Sequence, residues 1–216
     1  MTDAVPELGL RERKKQRTRQ LIADTARQLF AERGFERVTV TEIAREAEVS
    51  PATVFNYFPT KEDLFYSRLE AFEEELLAAI RERGPGESVL DAFSGFLLGQ
   101  GGVLSMDAPE ADEQLRTITR IITESPALLA RERQVFDRYA QTLAAVLAEE
   151  TGADPADAVP HVVANALLGL HRALIDQVRR EALAGTPVAR IRPDLRAGGE
   201  RAIAQLKQGL GDYGVR

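Results

Sequence analysis

The chain has no cysteine, and its 216 residues include only two histidines. Without cysteine there is no disulfide framework, no thiolate zinc site and no cysteine nucleophile. His161 and His171 stand ten positions apart, which is not a helical ligand spacing. Neither a metal site nor a cofactor is expected. Long hydrophobic runs are missing as well: no uninterrupted apolar stretch approaches the ~20 residues of a membrane span. The opening "MTDAVPELGLRERKKQ" has no apolar signal core. These two absences lead to the expectation of a cytoplasmic protein with no membrane partner. Catalytic fingerprints are also lacking. No G-x-S-x-G, H-E-x-x-H, Walker A or glycine-rich dinucleotide motif occurs, and the many carboxylates follow exposed helix faces. No catalytic residue is assigned, and an enzyme is not expected.

What is present is charge, unevenly spread. Residues 1–61 hold 11 Lys/Arg against 9 Asp/Glu, while the remaining 155 residues hold 17 against 25. The net charge of −6 is therefore +2 in the head and −8 in the body. Within "RERKKQRTR" (11–19) six residues are basic and one is acidic. An acidic body with a basic head suits an N-terminal module that meets a polyanion; the same run also describes a solvated helix end.

Helical signals dominate, and nothing alternates with a strand period. Residues 1–10 read as a disordered arm. Leu21, Ile22, Thr25, Ala26, Leu29 and Phe30 form a stripe that ends at Gly34. Thr39 and Glu42 make a capping box for a short second helix carrying Ile43 and Ala44. Ser50 caps a third, with Pro51 in its first position. Thr60 and Asp63 open a fourth, expected to run unbroken to about Arg83 with Phe65, Leu69, Phe72, Leu76 and Ile80 on one face. Further helices are expected at about 87–99, 109–124, 127–151, 155–184 and 194–210, with a flexible stretch from "GQGG" (99–102) to about Ala108. The fold class is all-α, of about nine helices.

Two short helices joined by a tight turn, the second with a polar outer face, describe a helix-turn-helix. Its platform draws on Leu29, Phe30, Phe35, Val40, Ile43, Ala44, Val49, Val54, Phe55, Phe58 and Leu64. Periodicity alone leaves a plain small helical bundle equally open. The wording of "LFAERGFERVTVTEIAREAEVSPATVFNYFPTKEDLF" (29–65) is more specific: it closely resembles the DNA-binding segment of the tetracycline-repressor (TetR) family of bacterial transcriptional regulators. The resemblance rests on Phe30, Gly34-Phe35, Thr39-Val40, Ile43-Ala44, Val49-Ser50, the aromatic-x-Tyr-Phe at 55–58 and Lys61-Glu62-x-Leu64. No motif extends it into residues 85–216. Two departures stand out. Glu48 holds a turn position that is usually glycine, and Phe55 replaces a usual tyrosine and reads as core.

The resemblance implies a homodimer on an operator in double-stranded DNA, with a C-terminal helical domain for a small-molecule effector. The domains are then an arm (1–10), a helix-turn-helix domain (11–60), a linking helix (61–83) and a ligand-binding and dimerisation domain (84–216). In the third helix, Thr53 offers a methyl and a hydroxyl to a base, and Asn56 can bridge an adenine edge. Ser50, Pro51 and Ala52 lead that helix toward the groove. Tyr57, Lys61, Thr39 and Thr41 occupy positions where family members touch phosphates, and Arg45 lies on the outer face of the second helix. A dimeric binding or adaptor protein without DNA binding is the alternative.

Residues 155–184 are apolar around much of the circumference, and the last helix pairs apolar residues with Gly198 and Gly199. Excess apolar surface on both suits a four-helix dimer interface, for which Leu195, Ala202, Ile203 and Leu206 are the candidates; packing within the chain is the other reading. The family's effector pocket lies in the C-terminal bundle, where Phe72, Phe93, Phe96, Ile118, Ile122, Phe136 and Tyr139 are the bulky apolar candidates. Asn165, His171 and Arg172 are polar interruptions that can orient a mostly apolar ligand.

Overall fold

The computed structural model describes residues 9–100, 111–154 and 156–215, apart from the side chains of Glu70 and Gln100. Most of the expected arm, the expected flexible stretch from residue 101 on and Pro155 lie outside the described residues; Gly99 and Gln100, expected to open that stretch, end the sixth helix instead. Among the described residues every regular element is a helix: α1 (Leu10–Arg33), α2 (Val40–Glu46), α3 (Pro51–Tyr57), α4 (Lys61–Phe65), α5 (Ser67–Arg81), α6 (Val89–Gln100), α7 (Ala111–Glu124), α8 (Pro126–Thr151), α9 (Ala158–Leu183) and α10 (Val188–Leu210). The chain divides into two compact units, Met1–Arg68 and Leu69–Arg216.

The first unit packs α1 against α2 and α4, and α2 against α3. Its core is Ile22, Ala26, Leu29, Phe30, Phe35, Val38, Ile43, Ala44, Val54, Phe58 and Leu64, all buried. Phe30, Phe35 and Phe65 form a ring cluster with centroids 5.1–6.0 Å apart. Phe30 and Phe35 are buried, each worth about 1.5–3 kcal/mol, which stabilises a platform built from very short helices. Leu21 is exposed, contrary to its place in the expected stripe. Ile22, Ala26 and Leu29 already fill the side of α1 that meets α2 and α4.

The expected fourth helix is two helices. Tyr66 leaves helical geometry (φ −90°, ψ 13°), although its N–H still donates to the Glu62 carbonyl at 2.9 Å. The apolar stripe read as one face serves two cores. Phe65 packs on Phe30 and Phe35, whereas Leu69, Phe72, Leu76 and Ile80 belong to the second unit's core. A continuous stripe does not require a continuous helix. This break also raises the helix count above the nine expected.

In the second unit α9 packs against α6, α7, α8 and α10. Val163, Ala164, Leu167, Leu170, Leu174 and Val178 are buried along it. Among the described residues α9 alone is long and apolar enough to cross a membrane, but here it is the central helix of a packed bundle. It starts later than expected, where Asp157 caps it by accepting from Val159 N at 2.9 Å.

The last helix starts earlier than expected, at Val188, and carries Pro193 inside it. Proline there removes one intrahelical donor. Two gains offset that loss: Val188, Ile191 and Leu195 are buried at helical spacing, and Asp112 Oδ1 accepts from Val188 N at 2.7 Å. A Cβ on Gly199 would lie 2.8 Å from Leu98 Cδ2, so the mid-helix glycine permits close approach within the chain.

Candidate nucleic-acid interface

The interface candidate is built by caps. Thr39 Oγ1 accepts from Glu42 N at 3.2 Å, while Glu42 Oε2 accepts from Thr39 N at 2.8 Å, the capping box that starts α2. The Thr39 hydroxyl also donates to Glu42 Oε2 at 2.8 Å. These hydrogen bonds from Thr39, with a smaller attraction from Arg33, hold the Glu42 carboxyl below its ordinary range. Ser50 Oγ accepts from Thr53 N at 3.0 Å and lies 2.8 Å from Thr53 Oγ1, so the start of α3 is fixed in the same way.

Between the two helices the chain turns in four residues, Ala47 to Ser50. Val49 N donates to the Ala44 carbonyl at 2.9 Å and Glu48 N to the Arg45 carbonyl at 3.2 Å, the double bond pattern of a Schellman cap. Glu48 sits at φ +54°, the conformation for which glycine is usual. The turn is thus made with the expected geometry and with a residue that is strained in it.

On α3, Val54 and Phe58 point into the core, while Pro51, Ala52, Phe55 and Asn56 are exposed and Thr53 and Tyr57 half-buried. Phe55 is 50% exposed, which corrects its reading as core. The signal was legible: Phe55 lies four residues after Pro51 and three after Ala52, both assigned to the outer face, and 100° round the helix from Val54. The outward surface of α3 is therefore a methyl, a pyrrolidine ring, a phenyl ring and a carboxamide. Those groups suit thymine methyls and an adenine edge. Thr41 and Arg45 are exposed on α2, as expected.

Lys61, expected to touch a phosphate, is engaged within its own unit. Its Nζ donates to the Phe35 carbonyl at 2.9 Å and the Val38 carbonyl at 3.2 Å, and lies 4.1 Å from the centre of the Phe35 ring. The ammonium closes the turn between α1 and α2. Its aliphatic reach decides this: four methylenes carry the charge back over Phe35 to two carbonyls that no helix satisfies.

The second unit gathers some of the ligand candidates and scatters others. His171 has Phe72 and Phe136 rings at 4.9 and 5.5 Å, Phe96 lies 5.1 Å from Phe72, and Tyr139 lies 6.1 Å from Phe136. The Tyr139 hydroxyl donates to the Leu69 carbonyl. His171 is 7% exposed, its Nδ1 has no partner among the described residues, and burial pushes its pKa down to about 4. The exposed Arg172 lays its guanidinium 4.8 Å from the Phe136 ring. Phe93 and Ile122 are buried core residues, and Ile118 is exposed. Asn165 faces solvent and donates to the His161 carbonyl at 2.8 Å, since it lies on the opposite side of α9 from the buried row at 163, 167 and 170. It does not join the cluster.

Comparison with known proteins agrees with both halves. Residues 22–67 match the family of bacterial regulatory proteins of the tetR type, and residues 102–211 match the MftR C-terminal domain. The chain belongs to the TetR family. The second match covers half the chain, in the region where no motif was legible. The regulator is 35% identical over 148 residues to the HTH-type transcriptional regulator TcmR of Streptomyces glaucescens, a match covering 68% of this chain and 66% of TcmR, just under two thirds. It is 26% identical over 158 residues to MftR of Mycobacterium tuberculosis, named for mycofactocin biosynthesis regulation, covering 73% and 78%. In fold it is similar to NalD, described as the secondary repressor of the MexAB-OprM multidrug efflux pump of Pseudomonas aeruginosa. The TM-score is 0.52 and the identity 22%, with 91% of this chain and 97% of NalD covered.

Proposed function

We propose that this TetR-family regulator is a repressor that binds a palindromic operator as a homodimer and leaves it when a mostly apolar small molecule binds the second unit. The observation that carries this reading is the outward face of α3. Pro51, Ala52, Phe55 and Asn56 are exposed on a helix whose start, end and preceding turn are all fixed by hydrogen bonds. A rigid helix with apolar groups and one carboxamide facing out is suited to a major groove. Thr39, Thr41, Arg45 and Tyr57 surround it as backbone contacts.

Dimerisation is assigned to the exposed side of α9 and α10. Val159 and Val162 are exposed on α9 beside the small residues Gly169 and Ala173, and Ala197 and Ala204 are exposed on α10. Of the residues expected there, Leu195 is buried inside the unit, while Ala202, Ile203 and Leu206 pack against the same core and are only partly buried, which leaves them able to flank this face. Val162→Glu places a charge on the outer surface without touching the core. In sedimentation it should yield monomers; a dimer of unchanged stability would remove this face from the interface.

The effector site is assigned to the cluster of Phe72, Phe96, Phe136, Tyr139 and His171. Ligand and operator are linked reciprocally, and a coupling of about 1–3 kcal/mol changes DNA affinity about 5–150-fold. Selection of bound duplexes from a random pool tests the DNA reading, and a screen of metabolites for release then tests the effector reading. Retention of an inverted repeat with half-sites about 34–36 Å apart is expected. Enrichment of no sequence at all would instead leave a dimeric adaptor without DNA binding.

A further inference from the structure

The first two turns of α1 are helical yet belong to no core. Among the described residues the helix begins at Leu10, and its first buried residue is Ile22. Thr18 and Arg19 are already half-buried, so at 1.5 Å per residue roughly 12 Å of helix stands in front of the packed unit. Arg11, Arg13, Lys14, Lys15 and Arg17 are exposed along it, and Glu12 is the single acid, 4.0 Å from Lys15.

Two features make this an uncomfortable helix by itself. Cations crowd its N-terminal end, where the peptide dipoles favour anions, and Gly9 supplies no side-chain cap. Arg11 and Lys15, Arg13 and Arg17, and Lys15 and Arg19 are like charges four residues apart, on neighbouring turns of one side. A single acid, Glu12, offsets little of that charge.

The direction of the stripe identifies what does. Arg11, Lys15 and Arg19 continue the same side of α1 that lower down carries Ile22 and Ala26 into the core. Arg19 places its guanidinium 4.9 Å from the centre of the Phe58 ring, and Phe58 is the cap residue that ends α3. The basic stripe therefore starts at the C-terminal end of the recognition helix and runs outward from it. A duplex that takes α3 into its major groove carries its flanking phosphates past this point.

We infer that residues 10–20 form a helical outrigger that grips the phosphate backbone of the duplex beside the α3 site and is stabilised as a helix by doing so. The inference rests on the DNA reading above and adds to it a second contact surface, one that contributes affinity and no sequence preference. Phosphate contacts carry most non-specific affinity and release counterions in proportion to their number.

The test compares the full chain with Arg11→Gln/Lys15→Gln and with a charge-matched control, Arg120→Gln/Arg133→Gln, whose exposed arginines lie in the second unit. Each is titrated with the selected operator and with a scrambled duplex over a range of salt. The N-terminal pair should lower the steepness of log K against log salt by about 2 and weaken both duplexes by roughly 10-fold at moderate salt, leaving their ratio unchanged. The control should match the unmodified chain. Amide exchange across residues 10–20 should slow when either duplex is added. Normal operator binding with an unchanged salt slope, or exchange at 10–20 indifferent to DNA, would overturn the outrigger alone. If no variant and no unmodified chain binds either duplex, the DNA reading itself has failed and the outrigger with it.

Discussion

Residues 39–65 and residues 158–210 are both helical and both carry apolar stripes, but they fix their helix ends by different means. In the first stretch Thr39, Ser50 and Thr60 each accept a hydrogen bond from the backbone N–H three residues on. Every start is decided within one turn of sequence. In the second, α10 has no cap of its own and borrows Asp112, 76 positions away. Its internal Pro193 is tolerated because Val188, Ile191 and Leu195 are buried on either side of it. The first unit is specified locally. In the second, α9 keeps a local cap in Asp157, and it is α10 that is specified by packing.

The second unit depends most on distant partners at Arg83. Arg83 is buried, with Nη1 2.6 Å from both the Ile80 carbonyl and Glu150 Oε2, and Nη2 donates to the Gly214 carbonyl at 2.8 Å. Arg83→Ala should cost about 3–5 kcal/mol in denaturant unfolding, because it leaves a partly buried carboxylate and two carbonyls behind. A loss under about 1 kcal/mol would show that the tail and the end of α8 are held by something else.

Next in size is a pH effect from the same unit. With its pKa near 4, His171 stays neutral in the fold while an unfolded histidine gains a proton below 6.5. Stability should therefore fall as pH drops from 6.5 toward 4 and lose nothing further from this group below that. The full loss is on the order of 3 kcal/mol at about 1.4 per pKa unit. His171→Leu should flatten that part of the stability profile; an unaltered slope would assign it to other groups.

The first unit has a long-range tie of its own at Lys61. Lys61→Met keeps most of the stem and leaves two carbonyls without their donor, so thermal melting should report a loss of about 1–3 kcal/mol in the first unit. An unchanged melt with a salt slope shallower by about 0.9 would return Lys61 to a phosphate role. The smallest effect is expected at the turn: Glu48→Gly relieves the positive φ but adds unfolded-state entropy, for a net gain of up to about 1 kcal/mol. A loss of stability in that variant would mean that the glutamate is not strained.

What was legible in the sequence follows the same division. The capping boxes at Thr39 and Thr60, the Ser50-Pro51 start of α3 and the strained Glu48 turn could all be read from neighbours in sequence, and each is found. Phe55 reads as core beside Val54 and Phe58, yet its angular position puts it outward with Pro51 and Ala52. The stripe over 61–83 reads as one helix, but it serves two cores, and the helix breaks at Tyr66 between them. Lys61 could not be placed from sequence, since its partners Phe35 and Val38 lie more than twenty residues back and offer carbonyls, which carry no sequence signal. The cluster around His171 draws on α5, α6, α8 and α9, so its candidates were recognisable by type but not by neighbourhood.

The central claim is that α3 reads bases through its outward face while its surroundings only hold the duplex. Asn56→Ala tests it most directly, because Asn56 is exposed and the packed side of α3 is untouched by its loss. Binding energies of the unmodified chain and the variant would be measured across single-base-pair changes of the selected operator. Asn56→Ala should cost about 1–3 kcal/mol on the selected sequence and erase discrimination at one base pair per half-site, leaving the others intact. A uniform loss on every sequence, with all preferences retained, would contradict it.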